Sequence, residues 1–436
     1  MKGKKIISAL QYVDPFLIEE AMMEPEANAK PSRFRFTTLI AACLCLVCCL
    51  GAFWFLSQMK GGATEETYTP INSPTEDVWI PTGSCEIIET DDFTETTDIQ
   101  VAVIADGFYD GNNVHAYEAC RQWCDENNTA IIYYHLGDYS TDSRMSVLER
   151  AVRDGNNVLI FPNRISAGII RRTAELYPDV FFIGLDMRAS DFGEDYVLPQ
   201  NVYCVAYREE VAGFIAGFVA VKLGYTQMGF LGFEEDPVST RYGYGFLQGV
   251  DYGAGAKSVP AQVNYCVVNP SGEYTDLVTY MERWYTEGTQ AVFTCNATLA
   301  YVTEEAAQKS EGKIICAELN GVQQMFDPVV MPVSVTKEYG KALEYILNEL
   351  LVGNWNAYGG REESLGLMSA INLEENYVQL SDTTQFGENF TEEDYKSLLA
   401  DLLKGTIIVS DDMEEKPVIS NITVEYLEYT DFEEES

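Results

Sequence analysis

The chain has 436 residues, of which 47% are hydrophobic, so it is long enough for two or three folding units with large cores. Its 68 acidic and 28 basic residues give a formal net charge of −40. This charge repels nucleic-acid phosphates and anionic lipid headgroups, so we expect no nucleic-acid partner and no electrostatic docking to a membrane.

The first strong local signal is apolar. Residues 37–57 carry no charge and are about as long as the ~20 residues that a helix needs to cross a bilayer. Several basic residues precede them, the last being Arg35, whereas none lies between Lys60 and Arg121. This asymmetry predicts one transmembrane helix with residues 1–36 in the cytoplasm and the rest of the chain outside the cell. The alternative is a cleaved signal peptide, whose basic region would be unusually long.

Two acidic segments flank the main body of the chain. Residues 58–98 are rich in Thr, Glu, Asp, Pro and Gly, and we expect them to form a solvated extracellular linker. Residues 412–436 form an acidic extension, in which the alternation over 419–429 predicts an edge strand.

Between these segments, short apolar runs alternate with amphipathic helical stretches. This order predicts an α/β fold with two doubly wound, Rossmann-like lobes, each a parallel sheet covered on both faces. We expect the first lobe over about 99–225 plus a return segment, and the second over about 226–335 plus a C-terminal part. The predicted strands are 99–106, 130–136, 157–162, 180–186, 227–233, 261–268, 291–295 and 313–319. Ligands of such sheets bind at the carboxyl ends of the strands, so two facing sheets predict a cleft.

Glycines mark a close contact between two helices. The predicted helix over 209–223 has two glycines on one side, and 243–249 (GYGFLQG) matches a dinucleotide fingerprint only superficially, because its third glycine is one residue late. We interpret both patterns as helix packing. Glu209 and Glu210 are adjacent on the helix and do not face one another, so we expect a solvated helix start.

Catalytic signatures are absent from the sequence: there is no Gly-x-Ser-x-Gly elbow, Walker A loop or His-Glu-x-x-His helix. Seven cysteines outside the apolar run are scattered and odd in number, which predicts neither a disulfide framework nor a metal site. We expect a binding protein without a cofactor, and not an enzyme.

The order of motifs over about residues 99–411 resembles the basic membrane protein family of substrate-binding lipoproteins, also called PnrA-like purine nucleoside receptors. The resemblance lies in 157–186, in 201–233, in the Arg-x-x-x-Gly-Phe-x-x-Gly pattern that starts at Arg241, and in the late strand followed by Lys337. It implies a type I periplasmic-binding-protein fold, a purine nucleoside held between the lobes, and delivery to an ABC transporter permease.

Candidate ligand-binding residues come from the resemblance and from the chemistry of a nucleoside, which needs flat apolar surfaces for its base and polar groups for its ribose. The family's first binding loop matches at Asp110 and Asn113, but Asn112 replaces its stacking phenylalanine, so Phe108 or Tyr109 is expected to stack instead. The full set of candidates is Phe108, Tyr109, Asp110, Asn113, Asp186, Phe233, Glu318 and Lys337.

Each candidate also has an ordinary structural interpretation, as a turn former (Asp110), a core residue (Phe233) or a surface charge (Glu318 and Lys337). A second function also stays open. The same lobes could serve a ligand-sensing or regulatory membrane protein that signals through residues 1–36.

Overall fold

The structure is a computed structural model that describes residues 98–106, 111–136, 140–193, 195–269, 274–317, 319 and 326–429. The expected cytoplasmic segment 1–36, the transmembrane helix 37–57 and nearly all of the linker 58–98 lie outside these ranges. Within them, no helix combines the length and the apolar character that a membrane span requires.

The first lobe is built on a sheet of six parallel strands. Its β-branched and aromatic runs are buried, as expected for strands covered by helices. In spatial order the strands are β11 (Arg361–Leu365), β5 (Val202–Tyr207), β4 (Phe181–Leu185), β3 (Val158–Phe161), β1 (Val101–Ala105) and β2 (Ile131–His135).

The second lobe is built on a sheet of seven strands. All pairs are parallel except that of β10 with β12, which is antiparallel. In spatial order the strands are β12 (Val378–Leu380), β10 (Val333–Lys337), β9 (Lys313–Cys316), β8 (Ala291–Thr294), β6 (Gln227–Phe233), β7 (Ala261–Val268) and β13 (Ile422–Glu428). The α/β prediction with two parallel sheets is confirmed, and β13 is the edge strand predicted in the acidic extension.

Helices connect the strands and cover the sheets. Their ends follow local signals, such as the Asp236 side chain that caps the fifth helix and Gly224, with φ of +103°, just after the fourth. They are α1 (Gly111–Asn127), α2 (Thr141–Arg153), α3 (Ala167–Thr173), α4 (Glu209–Lys222), α5 (Pro237–Lys257), α6 (Tyr274–Thr286), α7 (Ala297–Ser310), α8 (Tyr339–Leu351) and α9 (Glu392–Leu403).

Helices α4 and α5 pack with their backbones in close contact. A Cβ atom at Gly213 would overlap the carbonyl oxygen of Tyr242, and one at Gly245 would overlap that of Glu210. Both glycines are therefore required by the approach of the helices, which confirms that the glycine-rich segment 243–249 serves helix packing.

Among the described residues, three segments connect the lobes: 207–209 between β5 and α4, 337–339 between β10 and α8, and 365–378 between β11 and β12. We call them the hinge. They are hydrogen-bonded to each other, since Arg208 N donates to Leu365 O and Glu338 N donates to Tyr377 O, each at 2.9 Å. The first crossing thus lies earlier in the chain than the expected lobe boundary near residue 225, because α4 packs on α5 and beside β10 and β12 of the second lobe.

The core is continuous across the hinge. One hydrophobic cluster contains buried residues of both sheets, such as Val103 of β1 and Phe230 of β6, together with the α4–α5 contact. Two further clusters lie within single lobes. This packing holds in place β5, β10 and β11, the strands that lead into the hinge, so the residues at their carboxyl ends have a rigid support.

Candidate functional site

The carboxyl ends of the strands in the two sheets face each other. Asp186 follows β4 of the first sheet, and Lys337 ends β10 of the second. Their side chains meet across the lobes, with Lys337 Nζ 2.7 Å from Asp186 Oδ1. The structure thus brings together two of the residues predicted to bind the ligand.

Both residues are held in unusual environments. Asp186 has a φ of +52°, in the left-handed region, which Asp tolerates better than most residues. The Lys337 side chain is 1% exposed, and its ammonium lies 5.7 Å from the ring centre of Tyr207 and 5.5 Å from that of Tyr242. Such cation–π contacts stabilise a desolvated ammonium group. The predicted alternative that Lys337 is a surface charge is wrong.

Glu209 lies at the centre of a cluster of charges at the hinge. It starts α4, is 1% exposed, and its two carboxylate oxygens contact three cations. Oε1 is 3.2 Å from Lys337 Nζ, while Oε2 is 2.6 Å from Arg241 Nε and 2.8 Å from Arg188 Nη2. Glu362 of β11 lies 3.7 Å from Arg188. The hinge charge cluster therefore comprises Asp186, Arg188, Glu209, Arg241, Lys337 and Glu362.

The electrostatics favour an ionised Glu209. Burial by itself would raise the pKa of this carboxyl group, but the positive charges of Lys337, Arg241 and Arg188 together lower it to about 2. The neighbouring Glu210 behaves in the opposite way. Burial raises the pKa of Glu210, and its partner Arg208, whose side chain is 45% exposed, compensates only in part.

The expectation that Glu209 and Glu210 form a solvated helix start is therefore wrong. Both are buried, because α4 begins at the hinge and its first turn is covered by α5 and by residues of both lobes. The sequence carried a weak signal, since Glu209 and Arg241 both lie in the segments that resemble the family. Spacing along the chain could not indicate that they form an ion pair.

A second contact between the lobes lies away from the hinge. Arg164 follows β3 of the first sheet, and its Nη2 atom lies 2.7 Å from Oδ1 of Asp236, which precedes α5 in the second lobe. Nearby in the first lobe, Asn163 Nδ2 donates to Oδ1 of the buried Asn113 at 3.4 Å. Asn113 was predicted from the sequence, whereas Arg164 and Asp236 were not.

The remaining candidates are placed as follows. Phe233 ends β6, is half-buried, and packs against the hydrophobic cluster of the second lobe. The other four, Phe108, Tyr109, Asp110 and Glu318, lie outside the described residues. Asn113, Asp186, Phe233 and Lys337 all lie at carboxyl ends of strands or on the helices that follow, where ligands of doubly wound sheets bind.

Metal and thiol chemistry receive no support from the part of the chain that the structure describes. It contains no group of His, Cys, Asp or Glu residues suited to a metal ion. The six cysteines described there are free and buried, and burial raises the pKa of Cys124 to about 12 and that of Cys266 to about 11. Thiols with such pKa values are poor nucleophiles at neutral pH.

Comparison with known proteins identifies the family. The model of the family described as "ABC transporter substrate-binding protein PnrA-like" matches residues 99–410. The chain belongs to this family. It is therefore a substrate-binding protein of an ABC transporter, a class that implies a small-molecule ligand and a transporter as partner, and the predicted resemblance is confirmed.

Curated relatives agree. Basic membrane protein C of Borreliella burgdorferi is 24% identical over 328 residues, which cover 72% of this chain and 88% of that protein. Basic membrane protein B of Borreliella burgdorferi is 26% identical over 186 residues, which cover 41% of this chain and only 52% of the relative.

A solved structure supports the fold. The ABC transporter solute-binding protein from Conexibacter woesei has a TM-score of 0.56 and 18% identity, and the match covers 72% of this chain and 99% of that one. At this identity the similarity establishes the two-lobed architecture alone.

Proposed function

We propose that this protein captures a purine nucleoside between its two lobes outside the cell and delivers it to an ABC importer. The observation that carries the proposal is the contact of Asp186 with Lys337, because it joins the carboxyl ends of strands from both sheets at 2.7 Å. A solute bound between these ends contacts both lobes, which is how a two-lobed protein encloses a ligand.

The chemistry of this region suits a neutral, polyhydroxylated ligand. Asp186, Asn113 and Lys337 offer carboxylate, amide and ammonium groups on a rigid base. Hydroxyl groups need such partners when water is excluded, and a flat base needs an aromatic face. The family resemblance favours a purine nucleoside, with Phe108 or Tyr109 stacking on its base and Asp110 accepting hydrogen bonds from its ribose.

The location outside the cell belongs to the same proposal. It rests on the uncharged stretch 37–57 and on the basic residues that precede it. Protease added to intact cells is expected to remove the binding domain while residues 1–36 stay protected. Protection of the binding domain would contradict this topology.

The ligand can be identified without assuming its structure. We expect mass spectrometry of the purified full chain to detect a purine nucleoside that co-purifies with it and that is depleted in the Lys337→Met variant. Arg283→Gln is the matched control, because its i,i+4 pair with Glu287 is more than half exposed. If a different solute co-purifies with the protein and is depleted in Lys337→Met, the binding role is supported but a purine nucleoside is not the ligand.

Transport is favoured over the alternative of a ligand sensor, because the matching family consists of transporter substrate-binding proteins. Replacement of residues 1–36 by an unrelated basic sequence separates the two. Uptake is expected to survive this replacement, whereas a sensor would lose its output.

A further inference from the structure

The contact between Arg164 and Asp236 lies at a distance from the hinge. Arg164 follows β3, which is two strands from the hinge strand β5 in the first sheet. Asp236 follows β6, which is three strands from β10 in the second sheet. Neighbouring strands are about 4.8 Å apart, so the contact lies about 10 to 14 Å from the hinge.

This distance makes the contact sensitive to closure. A hinge rotation of about 15° moves atoms at 10 to 14 Å by roughly 3 Å. The Nη2 of Arg164 and the Oδ1 of Asp236 are 2.7 Å apart, so such a rotation takes them beyond the range of an ion pair. Lys337 and Glu209, which lie on the hinge itself, move much less.

Asp236 is fixed in place before the lobes meet. Its Oδ2 accepts hydrogen bonds from the Ser239 backbone amide at 3.0 Å and from the Ser239 hydroxyl at 2.7 Å, and its Oδ1 also accepts one from the Val238 amide. Helix α5, whose first turn these groups belong to, is anchored by its glycine contacts with α4. The carboxylate is thus preorganised, and only the Arg164 side chain has to be ordered on closure.

We propose that Arg164 and Asp236 form a latch that positions the two lobes in the closed state and slows release of the solute. The proposal rests on the proposed binding function. Neither residue is a predicted ligand contact, but two predicted contacts lie nearby, since Asn113 is hydrogen-bonded to Asn163 and the Phe233 amide donates to Ser239. The two side chains are 28% and 20% exposed, so the latch is weakened by salt and can open within each binding cycle.

The test uses four variants of the full chain. Arg164→Gln removes the cation, while Asp236→Asn removes the negative charge and keeps an oxygen that can cap α5. The double variant completes a cycle, and Arg164→Lys restores the charge. Arg283→Gln again serves as the control for a surface ion pair that does not join the lobes.

Two measurements are made. The latch favours the closed form of the ligand-free protein as well, so in this protein hydrogen exchange followed by mass spectrometry is expected to become severalfold faster in both 164–173 and 237–243 when either partner is changed. With inosine as the probe, dissociation is expected to become about threefold to tenfold faster, with unchanged association. The double variant is expected to exchange and to release inosine no faster than either single variant. Arg164→Lys is expected to restore most of the original rates. High salt is expected to accelerate exchange and release in the unmodified protein to a similar extent.

Several results would overturn the latch. One is faster exchange confined to 164–173, which would indicate a local contact of the first lobe. Additive effects in the double variant, or unchanged exchange in all variants, would also contradict it. If inosine, adenosine and guanosine all fail to bind the unmodified protein, the proposed ligand fails, and the exchange rates of the ligand-free variants still decide on the latch.

Discussion

At the centre of the hinge charge cluster the side chains of Lys337 and Glu209 are each 1% exposed, whereas those of Arg164 and Asp236 are 28% and 20% exposed. Removing one partner of a buried ion pair leaves an uncompensated charge and costs several kcal/mol, while an exposed pair contributes little. The hinge charges should therefore hold the fold together, and the distant pair should tune only the equilibrium between open and closed forms.

The largest effect is expected for Glu209→Gln. This change removes the carboxylate that contacts Lys337, Arg241 and Arg188, and it should lower the free energy of unfolding by about 3 to 5 kcal/mol. Chemical denaturation measures it. Glu210→Gln is the matched control, and we expect a loss of about 1 kcal/mol or less, since burial already opposes the ionisation of Glu210. Equal losses for both variants would contradict the special role of Glu209.

A slightly smaller loss is expected for Gly245→Ala, because a methyl group would collide with the backbone of α4 at Glu210. We expect a decrease of about 3 kcal/mol in the free energy of unfolding. Gly168→Ala in α3 is the control, because a Cβ atom there has no neighbour within 4 Å and alanine favours the helix. If Gly245→Ala and Gly168→Ala had the same free energy of unfolding, the α4–α5 contact could not be a rigid part of the second lobe.

The pH dependence follows from Glu209. Its pKa in the folded protein, about 2, is below the ordinary value of 4.5. Its ionisation therefore contributes stability that is complete above pH 4.5 and is lost as the pH falls towards 2. The difference in unfolding free energy between the unmodified protein and Glu209→Gln should shrink by about 3 kcal/mol over this range. A difference that is constant from pH 6 to pH 2.5 would contradict the ion-pair network.

The smallest effect on stability is expected for Arg164→Gln. Because its pair with Asp236 is partly exposed, we expect a loss below about 1 kcal/mol in the free energy of unfolding. A loss as large as that of Glu209→Gln would show that the Arg164–Asp236 pair stabilises the fold as much as the buried ion pairs of Glu209 do.

Much of the fold could be predicted because strands and helices alternate with clear periods. The buried run Val202–Tyr207 of β5 was singled out only through the family resemblance, and β11 (Arg361–Leu365) and β12 (Val378–Leu380) were not predicted. Strand β11 is polar and mostly exposed at a sheet edge, and β12 has only three residues, so neither has a periodic pattern.

The site was less predictable than the fold. Asp186 and Lys337 were proposed from the resemblance, but Glu209, which pairs with Lys337, was interpreted as solvated, because local spacing does not indicate which charges the topology brings together. Asp186 and Lys337 are 151 residues apart, and Arg241 is 32 residues from Glu209. Only the crossing of the chain at the hinge places them in one cluster.

The most direct test of the proposed function is calorimetry on the full chain after bound ligand has been removed. We predict saturable heat with at least one of adenosine, guanosine and inosine, no chemical change of the nucleoside, and weaker binding in Lys337→Met but not in Arg283→Gln. The absence of heat with all three nucleosides at millimolar concentration, in protein that still unfolds cooperatively, would contradict the proposed ligand.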